Sequence, residues 1–241
     1  MDLFRRIVLA ALCAGTLSGF VITVAHQVGT VPIILEAEVF ERAAEQPMDL
    51  ASPADPAASV HHEEGAGWEP ADGLERTVYT GLADLLTGIG FALLLVSAYS
   101  MTGTGVGWGR GLLWGLAGFA VFTLAPGLGL PPELPGTEAA PLLDRQIWWS
   151  ATALLTAGGL ALLMFRRQAL WAIVAVVLIA LPHVTGAPWL AEHASAVPES
   201  LANRFVLAST VTSLLFWVCL GITTGYLFQR FSRLRGRPEP A

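Results

Sequence analysis

The stretch Ala169-Leu-Trp-Ala-Ile-Val-Ala-Val-Val-Leu-Ile-Ala-Leu181 runs directly into Pro182-His-Val-Thr-Gly-Ala-Pro188. The first part is uncharged and apolar, which is typical of a helix inside a membrane. Proline then removes a backbone hydrogen bond, and freed backbone groups at membrane depth need protein or water partners. An imidazole beside such a break, His183, is therefore a candidate binding site. The alternative is that Pro182 only kinks the helix and that His183 marks its polar end.

The composition of the whole chain is that of an integral membrane protein. Of its 241 residues, 54% are hydrophobic and only 13% are charged. We predict an all-α fold, a bundle of six transmembrane helices that forms a single membrane domain over residues 1–241. The predicted spans cover about residues 7–28, 77–101, 108–125, 147–165, 169–184 and 205–228. A five-span alternative drops the span at 108–125.

Arginine placement predicts the orientation of the bundle. With six spans, nine of the 13 basic residues fall on one side of the membrane: Arg5, Arg6, Arg110, Arg166, Arg167, Arg230, Arg233, Arg235 and Arg237. Most acidic residues fall on the other side, so both termini are expected in the cytoplasm. The chain has no lysine, which excludes a phosphate-binding Gly-x-x-x-x-Gly-Lys loop. Any energy from ATP would therefore come through a partner.

Small and hydroxyl residues mark helix faces that should pack against protein. Ala11, Gly15 and Gly19 recur every four residues, a seam suited to close helix contact. The span at 108–125 is also rich in glycine. Ser209, Thr212 and Ser213 share one face of the last span, which gives that helix a polar stripe.

Three polar side chains are predicted to form a metal site in the outer half of the membrane. Asp84 lies about seven residues inside its span, where a charge costs on the order of 3 kcal/mol. Gly81 and Gly88 flank it at helical spacing, so the carboxylate should face a neighbouring helix. Counting about 1.5 Å per residue places His26, Asp84 and His183 at neighbouring depths. Nitrogen and oxygen donors without thiolates suit Co²⁺, Ni²⁺, Zn²⁺ or Mn²⁺.

The acidic side carries two further candidate groups. Residues 46–73 are predicted to form a mobile acidic extracytoplasmic loop, because Pro, Ala, Gly and acids dominate there. Four adjacent residues in that loop could capture metal weakly: His61, His62, Glu63 and Glu64. Glu36 and Glu38 follow the first span and are candidates for the entrance. A solvated helix face is the plainer interpretation of these glutamates.

Four stretches resemble the CbtA-type proposed cobalt transporter subunits of bacteria. They are the first span followed by Val31-Pro-Ile-Ile-Leu-Glu-Ala-Glu38, the His-His-Glu-Glu tract, Trp68-Glu-Pro-Ala-Asp-Gly-Leu-Glu-Arg76, and Pro182-His-Val-Thr-Gly-Ala-Pro188. The resemblance implies a non-enzymatic subunit of cobalt uptake that works with a small single-span, histidine-bearing partner of CbtB type. The family is usually pictured with five spans, one fewer than the apolar runs indicate here.

The sequence therefore predicts a subunit of cobalt or nickel uptake in the bacterial inner membrane. We expect a transported ion but no permanently bound cofactor, no nucleic acid and the option of a homo-oligomer. One alternative is an electron-transfer protein in which His26 and His183 ligate a haem. Another is a scaffold that transports nothing and only stabilises a partner subunit.

The arginine distribution makes a direct prediction about the carboxyl terminus. A reporter fused after Ala241 should show cytoplasmic activity, because nine arginines lie on that side in the six-span arrangement. The measurement is paired fusion of reporters that are active only inside or only outside the membrane. Activity of the outside reporter alone would contradict the orientation.

Overall fold

The computed structural model describes residues 2–49, 70–71, 73–102, 106–189 and 195–233, and almost all of them are helical. An isolated bridge between Thr137 and Ser195 is the one β-type pairing within these ranges. The all-α expectation is thus confirmed for the described part of the chain. The elements are α1 (Asp2–Gly29), α2 (Val31–Asp49), α3 (Leu74–Thr102), α4 (Trp108–Phe119), a π-helical turn (Ala120–Leu124), α5 (Ala125–Gly129), α6 (Leu142–Phe165), α7 (Ala169–Thr185) and α8 (Glu199–Arg233).

Five helical segments in the described residues are long and apolar enough to cross a membrane: Leu3–Gly29, Leu74–Thr102, Trp108–Gly129, Leu142–Phe165 and Glu199–Arg233. Helix α7 is apolar but has only 17 residues, about 25 Å at 1.5 Å per residue. The hydrocarbon core is about 30 Å thick. The count of six is therefore not confirmed. The helix that falls short of a membrane span is α7. The five-span alternative drops the span at 108–125, but the helical segment there is long enough to cross a membrane.

Helices α6 and α7 form an antiparallel hairpin. Arg166, at its turn, lies 5.7 Å from the ring centre of Trp171. At the far end, the Trp148 indole donates a hydrogen bond of 3.1 Å to the carbonyl oxygen of Pro182. Helix α7 continues through Pro182 to Thr185 and ends before Gly186, whose φ of 84° suits a glycine. The helix is therefore not broken at Pro182. This agrees with the alternative interpretation, in which His183 marks the polar end of the helix.

Glycines bring two pairs of helices into backbone contact. In α1 and α3, a Cβ added to Gly15 would lie 2.5 Å from the Ile89 Cα, and one added to Gly88 would lie 2.5 Å from the Gly15 carbonyl oxygen. Helices α4 and α8 meet in the same way through four further glycines: Gly111, Gly115, Gly221 and Gly225. The seam predicted from Gly15 and Gly19 is confirmed. Dispersion across such close contacts drives helix association where no water is available.

Aromatic residues fill the centre of the bundle. Phe122 stacks on Trp217 with ring centres 5.6 Å apart and an angle of 4° between the planes. Phe91 lies 4.8 Å from the same indole, and Phe216 packs edge-on against it. We call Phe91, Phe122, Phe216 and Trp217 the aromatic plug. Beyond it, toward the chain termini, the buried Tyr99 hydroxyl bonds to Thr224 at 3.0 Å.

Two glycines of α3 provide a matched test of this packing. Gly88→Ala should lower the free energy of unfolding by about 1–3 kcal/mol, because its Cβ would collide with the α1 backbone. Gly90→Ala meets nothing within 4 Å and should stay within about 0.5 kcal/mol of the parent. Denaturant or thermal unfolding of the purified protein in detergent measures both. Equal losses at the two positions would contradict the close contact.

Candidate functional site: a polar cleft

The close contact of α1 with α3 brings two predicted site residues together. His26 Nδ1 lies 3.1 Å from Asp84 Oδ2, and the Thr23 hydroxyl lies 3.0 Å from the same oxygen. The Asp84 side chain is 13% exposed and that of His26 is 31% exposed. The predicted agreement in depth between His26 and Asp84 is confirmed, as is the prediction that Asp84 faces a neighbouring helix.

His26 and Asp84 line a small cavity of about 200 Å³. Thr87, Thr123 and Ser213 also line this space, so hydroxyl-bearing residues form part of its wall. The rest of the wall is apolar or aromatic: Ile22, Phe91, Phe122, Trp149, Phe216 and Trp217. Four of these residues form the aromatic plug, so the plug is one wall of the small cavity.

Two larger cavities adjoin the small one. The first, about 440 Å³, is the vestibule; it is bounded by α1, α2, α3 and α8 and shares His26 and Ser213 with the small cavity. The second, about 410 Å³, is bounded by the π turn, α5, α6 and α8 and also includes Ser213. We call the three cavities together the polar cleft. Its lining reaches Gly73 and Arg76 at the end of the bundle opposite the chain termini.

The π turn was not predicted from the sequence. Such turns are rare inside α-helices and often occur at functional sites. Here the turn supplies Phe122 and Thr123 to the small cavity. Pro126 lies two residues beyond the turn and cannot donate a hydrogen bond to the Phe122 carbonyl, so the helix widens before the proline. The proline is the signal of this turn in the sequence, but in a span predicted to end at about residue 125 it reads as the start of a loop.

His183 does not join His26 and Asp84 in this structure, which corrects the predicted three-residue site. Its ring packs edge-on against Trp148, with centres 5.9 Å apart. The next residue, Trp149, lines the small cavity, whereas His183 does not. Among the described residues, no group of three or more His, Cys, Asp or Glu side chains could hold a metal ion. Whether each residue binds metal stays a prediction.

The entrance glutamates are paired with arginines. Glu38 contacts Arg76 and, at 3.4 Å, Arg42, while Glu36 lies 3.6 Å from Arg204. Neither glutamate lines the vestibule; Glu38 borders a separate cavity of about 560 Å³ together with Arg42 and Arg76. Their charges are thus balanced locally. The predicted capture residues lie outside the described part of the chain: His61, His62, Glu63 and Glu64.

Five apolar helices of membrane-spanning length around a polar cleft define a multi-pass membrane protein. The sequence matches a family described as "Probable cobalt transporter subunit (CbtA)" over residues 4–229, nearly its full length. The chain belongs to this family of transporter subunits. No curated protein and no solved structure matches it.

The geometry predicts which of the site residues are energetically coupled. His26→Ala and Asp84→Asn should be non-additive in stability by about 0.5–3 kcal/mol, because the two side chains are in contact. His183→Ala and Asp84→Asn should add within about 0.5 kcal/mol, because α6 separates them. Double-mutant cycles of unfolding in detergent measure both couplings. Equal coupling in the two cycles would contradict the placement of His183.

Proposed function

We propose that this chain is the membrane subunit of a Co²⁺ or Ni²⁺ uptake system that binds the metal in its polar cleft. The observation that carries the proposal is the His26–Asp84 pair, placed where an uncompensated charge would be costly. An ion that arrives at the end of the bundle with Gly73 and Arg76 could reach this pair through the vestibule, which shares His26 with the small cavity. An ion could pass further only after the plug has moved.

The orientation of the His26 ring supports a metal-binding role. Its Nδ1 faces the Asp84 carboxylate, which leaves Nε2 available for a metal. In protein metal sites, the ligating histidine usually donates its other nitrogen to a carboxylate or carbonyl. Thr23 contacts the same Asp84 oxygen, so Asp84 Oδ1 can also serve as a ligand. One imidazole and one carboxylate suit borderline divalent ions better than soft ones.

The acidic residues at one end of the bundle would supply this site with cations. The excess of carboxylates in residues 30–80 raises the local concentration of divalent ions. We assign first capture to His61, His62, Glu63 and Glu64, and the mouth to Glu36 and Glu38, whose arginine partners an arriving ion can replace. A small single-span histidine-bearing subunit is the proposed partner. The proposed location is the bacterial inner membrane with the acidic end outside.

His183 keeps a separate proposed role at the same end of the bundle. It lies beside the Pro182 carbonyl and the Trp148 indole, at the outer end of α7. A metal could meet it outside the small cavity. The proposal therefore treats His183 as an additional binding position and not as a third ligand of the His26–Asp84 pair.

The haem alternative fits this geometry less well. Two histidines that ligate one haem must approach the same iron from opposite faces. No residue of α7 lines either described cavity that His26 lines, whereas His183 lies on α7. A visible spectrum of the purified protein decides the matter, since a strong Soret band would favour electron transfer over transport.

Cobalt uptake by variants of the His26–Asp84 pair, compared with a variant of an aspartate outside the cleft, tests the proposal. Asp84→Asn and His26→Ala should each abolish most uptake of radioactive cobalt while the protein still inserts at normal levels. Asp144→Asn should transport normally, because Asp144 is exposed at the start of α6 and lines none of the three cavities. The measurement is uptake by cells at a fixed, low metal concentration, normalised to the amount of inserted protein.

Metal analysis of the protein purified with and without its partner tests whether this chain itself holds metal, as a transport subunit should and a scaffold need not. Uptake by the cleft variants gives a second distinction. A scaffold would show wild-type uptake in both cleft variants as long as the partner is stable. Normal cobalt uptake by Asp84→Asn and His26→Ala would therefore remove the pair from the ion path.

A further inference from the structure

The charged donors of the cleft are too few to surround a divalent transition-metal ion. His26 and Asp84 are the two titratable residues among those that line the small cavity. Octahedral ions such as Co²⁺ and Ni²⁺ take up to six ligands, so two side chains leave most positions to other donors. The other lining residues with polar side-chain groups are Thr87, Thr123, Ser213 and two tryptophans. Of these, only the three hydroxyls offer a lone pair to a cation, because an indole N–H is a donor only.

Ser213 stands out among the hydroxyl residues of α8. It lines all three cavities of the polar cleft, yet its hydroxyl makes no hydrogen bond within the described protein. Ser209 and Thr212 on the same helix also lack a hydrogen bond within the described residues, but neither of them lines the small cavity. Other threonines of α8 are bonded. Thr210, Thr223 and Thr224 each donate to the carbonyl four residues earlier, at distances of 2.7, 2.7 and 2.6 Å. A hydroxyl at membrane depth normally satisfies itself in this way, because leaving it unpaired is costly.

Two further hydroxyls of the small cavity share this property. Thr87 follows Asp84 by three residues on α3, and Thr123 lies on the π turn. Neither hydroxyl makes a hydrogen bond in the part of the chain that the structure describes. Three residues with hydroxyls that are unpaired within the described residues, from three different segments, therefore line the small cavity beside His26 and Asp84.

We propose that Ser213, with Thr87 and Thr123, supplies neutral oxygen ligands to a divalent cation held at the His26–Asp84 pair. This inference rests on the proposed function and makes the small cavity a mixed nitrogen and oxygen site. Its volume of about 200 Å³ corresponds to on the order of six waters at about 30 Å³ each. Water would complete the shell at positions that the hydroxyls do not fill.

Neutral hydroxyls suit a transport site for two physical reasons. They contribute coordination without adding charge, so an ion is bound weakly enough to leave again. As hard donors, they also disfavour soft ions such as Cd²⁺, which prefer thiolates. Ser213 is therefore a specificity-determining residue of the site, and a thiol at this position should reverse the preference.

Equilibrium dialysis of the purified full chain with Co²⁺ or Cd²⁺ tests the assignment. Ser213→Ala should weaken Co²⁺ binding about tenfold through the loss of one ligand. Ser213→Cys should raise the Cd²⁺-to-Co²⁺ affinity ratio by at least about tenfold, about 1.4 kcal/mol. Thr210→Cys is the matched control, because its hydroxyl is bonded to Val206 and does not line the small cavity. Cys13 and Cys219 are present in every variant and cancel in the comparison.

The outcomes separate this inference from the proposed function. If the parent binds no Co²⁺, or binds it equally well after His26→Ala, the proposed function fails and the inference fails with it. If binding depends on His26 but both Ser213 variants match the parent, only the inference is overturned. A similar shift in Thr210→Cys would also overturn it, since any thiol in the cleft would then suffice. Should Ser213→Cys not fold, Ser213→Ala alone decides through its Co²⁺ affinity.

Discussion

The contact of the Gly15 backbone with Gly88 sets the distance between α1 and α3, and the polar site depends on that distance. A single added Cβ would come within 2.5 Å of the opposite backbone. Because the helices approach this closely, the side chains two to three turns further along α1 reach Asp84 directly. Thr23 and His26 can then contact one carboxylate oxygen at 3.0 and 3.1 Å. Small residues at the crossing thus make the polar contact possible.

The second glycine crossing, between α4 and α8, places the opposite wall of the cleft. It brings the π turn beside α8, where Phe122 stacks on Trp217 and Thr123 faces the small cavity. The same short turn therefore contributes to the apolar plug and to the polar lining. The small cavity thus combines an aromatic wall with hydroxyl-bearing residues, and the ion binding proposed above depends on this combination.

Residue counting predicted depth correctly but could not predict which helices are neighbours. Asp84 was assigned a packed face because Gly81 and Gly88 lie on it, and that inference needed only helical periodicity. The sequence places His183 at a similar level, but α7 packs mainly against α6, and His183 lies against Trp148 of that helix and does not line the small cavity. Which helices are neighbours depends on long-range packing, and the local pattern of a single sequence does not reveal it. The π turn could not be predicted, because a proline such as Pro126 can follow either the end of a helix or a π turn within it.

The partner of Asp84 differs from the partners of the glutamates that are ion-paired at the same end of the bundle. Each of the four arginines described there lies against a glutamate: Arg42 and Arg76 against Glu38, Arg145 against Glu133, and Arg204 against Glu36. Asp84 instead contacts a histidine and a hydroxyl. An arginine partner would neutralise it permanently and occupy the space in front of it. An imidazole can instead turn its second nitrogen toward a cation that the carboxylate attracts. The arginines thus balance glutamates at this end of the bundle, whereas Asp84 keeps partners that are compatible with the metal binding proposed above.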